Sequence, residues 1–211
     1  MNVSSKLRLP LLGAAMALNS APSLPSGVRL IFQPAEEGEK GGEAMVKDGL
    51  MERFGIQEVY GMHNMPGIPL GQFAVRKGPV MAASDQFIIE IEGKGGHGAA
   101  PHRSIDPVQA AFTVGLAMQT IVSRNVDPLK SGVVSVCVVE TDSTAHNVIP
   151  QVVTLRGTAR SLDPQVRDQI EAAIARVAEN TAAALGARAE VHYERGYPVT
   201  MNDPQATGFA A

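Results

Sequence analysis

The strictest alternation of apolar and polar positions lies at residues 84–92, where Phe87, Ile89 and Ile91 fall on one face. This period of two predicts a half-buried strand. The β-branched run 133–139 and the segment 152–159 predict two further strands, and residues 187–194 alternate in the same way. Together the four segments predict one sheet.

Two Asp-Pro pairs, at 106–107 and 163–164, mark where helices begin in the same region. Asp caps a helix well, and Pro is tolerated in the first turn. Apolar residues then recur at helical spacing, to about Ser123 in the first helix and to Gly186 in the second. The predicted order over 84–195 is β-α-β-β-α-β, the ferredoxin-like arrangement in which two helices cover a four-stranded sheet.

Residues before this region predict a different unit. Three short apolar runs predict strands, at 28–32, 56–62 and 71–75. Residues 43–54 predict a helix that ends at Gly55. This alternation indicates an α/β layer architecture for residues 1–82. We expect residues 196–211 to return to that unit, which would make 84–195 an inserted domain.

The first 26 residues fit two interpretations. Lys6 and Arg8 precede a small and apolar run, which is the layout of a secretory signal. The same pattern predicts a helix at 8–19 that packs in the domain and ends near Asn19. We expect a cytoplasmic protein, or a secreted or periplasmic one if residues 1–21 act as a signal.

Composition argues against several classes of function. There are 18 Lys and Arg against 21 Asp and Glu, a net charge of −3, and no basic run offers a footprint for nucleic acid. No apolar run reaches the roughly 18 residues that would indicate a membrane span. The single cysteine, Cys137, rules out an internal disulfide, and its apolar surroundings predict a core position.

Two neighbouring acids, Glu36 and Glu37, directly follow the predicted strand 28–32. Sites in α/β sheets form at strand ends, and successive side chains of an extended backbone point in opposite directions. One carboxylate could therefore ligate a metal while the other takes a proton from water that the metal activates. The alternative is that both acids are solvated near a helix start.

Two histidines are candidate site residues. His63 ends the predicted strand 56–62, and imidazole is a common ligand of zinc, manganese, cobalt or nickel, although a structural role is an alternative. His97 lies in the glycine-rich segment 93–102, whose spacing does not match a phosphate-binding loop. Its glycines suggest close approach to a ligand or another subunit, or else a flexible turn with an exposed histidine.

Asn147 and Arg160 flank another predicted strand. An Asn side chain could donate to a substrate carbonyl or a developing oxyanion, or it could simply close a turn. Arg160 could hold a carboxylate through two hydrogen bonds, or it could form a surface ion pair. The residue types alone leave these alternatives open.

Five motifs in this order carry a resemblance to a known family: LIFQPAEEG, GMHNMPGIPLGQ, GKGGHGAAPH, HNVIP and GTAR. The chain resembles the aminoacylase/carboxypeptidase-type metallopeptidase family, in its amidohydrolase branch of hippurate hydrolases and N-acyl-L-amino-acid amidohydrolases. The resemblance implies a partial α/β catalytic domain with an inserted ferredoxin-like βαββαβ lid domain. It also implies two divalent metal ions (Mn, Zn, Ni or Co) and hydrolysis of small N-acyl amino acids to a carboxylic acid and an amino acid.

The resemblance also assigns roles residue by residue. Glu36 resembles the general base, and Glu37 and His63 resemble metal ligands. His97, Asn147 and Arg160 resemble the lid residues that bind the substrate, and the resemblance implies a homodimer through the lid in which His97 often acts across the subunits.

Two departures from the family pattern shape the expected function. Residues 1–6 stand where the family has a Cys-Gly-His-Asp-Gly-His-like loop, and the family's late His ligand would follow Ala211. Two of its five protein ligands are therefore matched. We expect a chain truncated at both ends and impaired as a hydrolase. The alternatives are a catalytically inactive fragment whose lid serves as a dimerisation module, and a secreted or periplasmic binding module.

Overall fold

A computed structural model describes residues 8–21, 23, 27–35 and 40–211 of the chain. The chain divides into two compact units, Met1–Met65 and Pro66–Ala211. This division follows compactness alone. The predicted boundaries of an inserted domain, 1–82, 84–195 and 196–211, stay a prediction.

The first unit has three helices among its described residues: α1 (Arg8–Asn19), α2 (Gly41–Lys47) and α3 (Leu50–Phe54). The first confirms the helix predicted at 8–19. The prediction of a single helix at 43–54 is wrong. Gly49 has a φ of 82°, and this left-handed backbone conformation separates α2 from α3. Gly55 ends α3 with a φ of 59°, as predicted.

The strands predicted at 28–32, 56–62 and 71–75 do not form. Apolar side chains in these segments are exposed, including Phe32 at 54% and Phe73 at 83%. A strand is held by its hydrogen-bonded ladder to a neighbour, and no described residue pairs with these segments in a sheet. The apolar runs identify residues that favour burial, but they do not supply the partner strand.

The second unit is larger and has more regular structure. Its strands and helices in chain order are β1 (Gly78–Met81), β2 (Ala83–Glu92), β3 (Gly96–His97), α4 (Pro107–Thr120), β4 (Gly132–Thr141), β5 (Val148–Ile149), β6 (Val152–Ser161), α5 (Pro164–Ala184), β7 (Arg188–Arg195), β8 (Thr200–Asn202) and α6 (Pro204–Ala210). A 3-10 turn covers Pro101–Arg103, and a π-helical turn, Ile121–Asn125, extends α4. Both long helices begin as predicted, with Asp106 and Asp163 accepting hydrogen bonds from first-turn amides.

Four strands form an antiparallel sheet in the order β4-β6-β2-β7. With α4 and α5 between them in the chain, they have the β-α-β-β-α-β order of the ferredoxin-like arrangement, which confirms that prediction. Phe87, Ile89 and Ile91 of β2 are at most 1% exposed, whereas the intervening Ile88 is 39% exposed. The predicted buried face of this strand is therefore correct.

The apolar core lies between one face of the sheet and the two long helices. Its largest side chains come from β2, β6, α4 and α5: Phe87, Ile89, Ile91, Leu155, Val114, Met118, Ile170 and Ile174. Outside the four-stranded sheet, β1 pairs with β8 in antiparallel register, Gly78 opposite Asn202. That pair joins the chain just before the sheet to the chain just after it.

The core position predicted for Cys137 is wrong. Cys137 is exposed, with a free thiol. It lies at an irregularity between Val136 and Val138 in β4, which is an edge strand of the sheet. The extra residue of a bulge interrupts the alternation of faces, and an edge strand is covered on one side only.

Candidate functional site

The structure brings His97 and Asn147 together on a ribbon formed by β3 and β5. His97 lies opposite Val148, and the N–H of Gly98 donates to the Asn147 carbonyl oxygen at 2.8 Å. Both the His97 and Asn147 side chains are exposed. Two candidate residues from motifs far apart in the sequence therefore share one small surface.

A shallow groove that is largely open to solvent lies beside this ribbon. Its polar lining includes His97, Asp142, Ser143 and Gln151, and its apolar lining includes Val148, Ile149 and Pro150. Small-molecule sites commonly combine an apolar wall with a few polar groups that orient the ligand. The groove has that composition.

The glycines of segment 93–98 allow the backbone to approach the chain's own backbone closely. A Cβ on Gly93 would lie 2.2 Å from the Ile105 carbonyl oxygen, a distance that real Cβ atoms do not show. A Cβ on Gly98 would lie 3.1 Å from the Asn147 carbonyl oxygen. These close contacts are internal to the chain, and the predicted approach of a ligand or another subunit to the same glycines stays a prediction.

One ring nitrogen of His97 is a hydrogen-bond acceptor. Its Nδ1 accepts a hydrogen bond from the Ala99 N–H at 3.1 Å. In the neutral ring the proton must then be on Nε2, because each neutral imidazole has one donor and one acceptor nitrogen. His97 therefore presents a hydrogen-bond donor at Nε2.

Arg160 lies at the other end of β6 from this ribbon. It is eight residues beyond Val152, which corresponds to roughly 26 Å along an extended strand. Its Nη1 donates to the carbonyl oxygens of Asp85 at 3.1 Å and Ala159 at 3.0 Å, and to the Thr158 hydroxyl. Among the residues described, Arg160 has no ion pair, so the surface ion pair considered as an alternative is not formed.

Next to Arg160 lies a buried polar cluster that the sequence interpretation missed. The Asp85 carboxylate accepts from Arg167 at 2.9 and 2.5 Å, from the Tyr193 hydroxyl at 2.8 Å and from the Gly196 N–H at 3.0 Å. Burial raises the pKa of Asp85, but these donors outweigh burial and lower it overall. Burial and the bond to Asp85 raise the pKa of Tyr193.

A sequence signal for this cluster did exist. Asp85 shares its strand face with Phe87, Ile89 and Ile91, so an acid occupies an otherwise apolar face of β2. An acid there requires partners, because a buried charge is costly unless it is paired and hydrogen-bonded. Those partners come from α5, β7 and the segment after β7, and the sequence could not identify them.

His63 belongs to the first unit and is exposed. Its Nδ1 is 2.7 Å from the Asn64 carbonyl oxygen. Since a carbonyl can only accept, Nδ1 carries the proton and the lone pair of the neutral ring is on Nε2. Metal-ligating histidines commonly donate their other ring N–H to a carbonyl in this way, so His63 fits a ligand position.

Glu36 and Glu37 lie outside the described residues. On either side of them, Ala35 has a φ of 48° and Lys40 a φ of 55°. Left-handed backbone at residues other than glycine costs energy and tends to cluster at functional sites. A Cβ on Gly41 would lie 1.8 Å from the Pro34 carbonyl oxygen, so this glycine permits close packing at the start of α2.

Among the residues that the structure describes, no group of three or more His, Cys, Asp or Glu side chains is arranged to hold a metal ion. Within the same residues, no helix has both the length and the apolar character needed to cross a membrane.

Comparison with known sequences gives a clear family match. Residues 8–211 match peptidase family M20/M25/M40. N-acetyl-L-cysteine deacetylase of Bacillus subtilis is 44% identical over 199 residues, which is 94% of this chain and 47% of that protein. Hippurate hydrolase of Campylobacter jejuni is 42% identical over 184 residues, 87% of this chain and 48% of that protein.

Comparison with solved structures supports the same family. A Bacillus subtilis dinuclear metal-binding peptidase of family M20 superposes with a TM-score of 0.74 at 34% identity, covering 95% of this chain and 50% of that chain. This similarity and the mixed helix and sheet content confirm the predicted α/β fold class. The chain spans about half the length of the relatives it matches. Because the match extends over nearly all of its residues, the chain belongs to peptidase family M20/M25/M40.

Proposed function

We propose that this chain carries part of the active site of a metal-dependent amidohydrolase that cleaves small N-acyl amino acids into a carboxylic acid and an amino acid. One observation carries the proposal: residues 8–211 match a peptidase family. Two relatives with more than 40% identity are named for N-acetyl-L-cysteine deacetylation and hippurate hydrolysis. Both substrates have an amide between an acyl group and an amino acid.

In this proposal Glu37 and His63 hold the divalent metal, which would be Mn, Zn, Ni or Co. The proton on Nδ1 of His63, donated to Asn64, leaves Nε2 available for a metal. The ion would supply Lewis-acid polarisation of the amide carbonyl. Glu36 acts as the general base, taking a proton from the attacking water and returning it to the leaving amine.

His97, Asn147 and Arg160 bind the substrate. The Nε2–H of His97 and the side-chain amide of Asn147 are donors suited to an acyl or carboxylate oxygen, and both are exposed on the same ribbon. The Arg160 guanidinium suits a carboxylate. Arg160 lies roughly 26 Å along β6 from this ribbon. One small substrate would therefore be bound by His97 and Asn147 of one subunit and by Arg160 of another.

The second unit has a surface that suits such a homodimer. Strand β4 is an edge of the four-stranded sheet, and an edge strand presents unpaired backbone groups. The helix α4 has no charged residue, and its Phe112 and Leu116 are 58% and 75% exposed. A second copy of this chain is the partner we propose for this surface.

The experiment is hydrolysis by the full chain of N-acetylcysteine and N-benzoylglycine with added Mn²⁺ or Zn²⁺, measured as amino acid released. Glu36→Gln is expected to abolish turnover and leave metal content nearly unchanged. His63→Ala is expected to lower metal content, while His192→Ala, an exposed histidine on β7, serves as the matched control. Turnover in Glu36→Gln equal to that of the unsubstituted chain would contradict the assignment.

A second candidate function is a catalytically inactive dimerisation module. It is favoured by the uncharged, exposed face of α4 and the edge strand β4, which would serve a dimer whether or not the chain holds a metal. A chain that dimerises but neither retains metal nor releases amino acid would support this alternative.

A further inference from the structure

Gln151 lies where the four-stranded sheet ends and the ribbon bearing His97 begins. The ladder between β2 and β6 ends at Glu92 opposite Val152. One residue further on, the Gly93 N–H donates to the Gln151 main-chain carbonyl oxygen at 2.9 Å. The Gln151 side chain then adds two bonds: Nε2 donates to the Gly93 carbonyl oxygen at 2.8 Å, and Oε1 accepts from the Gly95 N–H at 3.0 Å.

These two side-chain bonds replace backbone bonds. A primary amide offers a donor and an acceptor, as a peptide group does. The Gln151 side chain therefore supplies the pairing that another strand residue would give to the carbonyl oxygen of Gly93 and the N–H of Gly95. Beyond this point the regular pairing resumes, with Gly96 opposite Ile149 and His97 opposite Val148.

Gln151 is itself held by the end of β4. Its backbone N–H donates to Oδ1 of Asp142 at 3.1 Å. The Asp142 N–H donates to the Val152 carbonyl oxygen at 3.3 Å. The position of the Gln151 side chain is thus connected to two strands of the sheet.

We propose that Gln151 is a positioning residue for the pair His97 and Asn147. It sets the backbone at Gly93 and Gly95, and thereby the register in which His97 meets Val148. Its role in substrate binding rests on the function proposed above. Its role in holding the ribbon does not depend on that function.

The test is amide hydrogen exchange by NMR on the full ¹⁵N-labelled chain. The Gly98 N–H donates to the Asn147 carbonyl oxygen and not to Gln151, so its exchange reports the ribbon. In Gln151→Ala we expect Gly98 to exchange about tenfold faster, the effect of one lost hydrogen bond. The amide of Ile89, in the core of β2, reports global stability and is expected to change much less.

A second readout is the tautomer of His97, measured from its ring nitrogen shifts at pH 8. The unsubstituted chain is expected to have the proton on Nε2, and Gln151→Ala is expected to have a mixture of both forms. The matched control is Gln165→Ala, an exposed glutamine in the first turn of α5. It is expected to change neither readout.

Gln151→Glu keeps the size of the side chain but removes the donor to Gly93 while retaining the acceptor for Gly95. At neutral pH its carboxylate accepts from Gly95 but cannot donate to Gly93, so Gly98 protection falls. Protonation near the ordinary glutamate pKa of about 4.3 restores a donor, and the protection factor of Gly98 is expected to recover relative to Ile89.

Three outcomes would overturn the positioning role: unchanged Gly98 protection in Gln151→Ala, an equal change at Gly98 and Ile89, or no recovery of Gln151→Glu in acid. N-benzoylglycine binding is then titrated separately. In one further outcome Gly98 and His97 respond as expected, while neither the unsubstituted chain nor any variant binds or cleaves N-benzoylglycine. In that case the role of Gln151 in holding the ribbon stands and the proposed function fails.

Discussion

At the scale of single residues, Asp85 shows how a buried charge is tolerated. It is 1% exposed, and among the described residues no other charged side chain is buried to this extent. Arg167 supplies an ion pair with two hydrogen bonds, and Tyr193 and Gly196 supply two more. The cluster joins the start of β2, the first turns of α5 and the end of β7. We therefore expect it to contribute to stability.

We predict that Asp85→Asn lowers the free energy of unfolding by about 3 kcal/mol. The substitution leaves the Arg167 guanidinium partly buried without its carboxylate, and breaking a buried pair on one side is strongly destabilising. Urea unfolding of both chains measures the difference. Asp168→Asn is the control because Asp168 pairs with Arg195 on the surface, where we expect a loss of less than about 1 kcal/mol. Equal losses in the two variants would contradict the assigned role.

The same carboxylate predicts how stability depends on pH. The folded state lowers the pKa of Asp85 below its ordinary value of 3.8. Its contribution is therefore fully present above that value and is lost as pH falls through the lower native pKa. The stability difference between the unsubstituted chain and Asp85→Asn should be constant above about pH 5 and shrink in acid. Urea unfolding at a series of pH values measures this, and a difference that grew in acid would refute it.

At the scale of elements, α4 and β4 carry the surface proposed for dimerisation. The helix packs Val114 and Met118 into the core, while Phe112 and Leu116 remain exposed. The edge strand β4 exposes Val133 and Val139, at 48% and 53%. An uncharged helix face and an unpaired strand edge in one unit favour association more than solvation.

We predict that Leu116→Glu shifts the chain from dimer to monomer. A buried carboxylate would lack a partner in the interface, so its desolvation would oppose association. Sedimentation velocity over a range of concentrations measures the shift. Leu70→Glu is the matched control, since Leu70 is fully exposed and lies outside α4 and β4. A chain that is monomeric before any substitution would remove the basis of the dimer proposal.

At the scale of the whole molecule, the two units differ in how well their apolar residues are buried. The second unit has a continuous core between its sheet and helices. The first unit has short helices, no strand among its described residues, and exposed apolar side chains such as Phe32, Phe54 and Tyr60. Few buried apolar contacts mean a low free energy of local opening.

We predict that limited trypsin digestion cuts the first unit before the second. Arg29, Lys40, Lys47 and Arg53 provide sites there, and the expected stable product retains the four-stranded sheet. Mass spectrometry of the time course identifies the fragments. Early cleavage inside the sheet, with the first unit intact, would contradict this difference in stability.

Local sequence pattern was enough to predict the elements that depend on one buried face. Alternation at 84–92 and helical spacing after each Asp-Pro pair were sufficient for β2, α4 and α5, because burial of one face requires that periodicity. The order of the five motifs was sufficient for the family. Roles within the site follow from the family only as proposals.

Features that depend on residues distant in the chain became visible only in the folded protein. The exposure of Cys137 follows from β4 being an edge strand with an irregularity at this residue, and none of the residues that the structure describes pairs in a sheet with the runs at 28–32 and 56–62. The proximity of His97 and Asn147, and the distance of both from Arg160, depend on which strands pair and in which register. Pairing between distant segments is not encoded in the local pattern of either one, so only the folded chain could establish it.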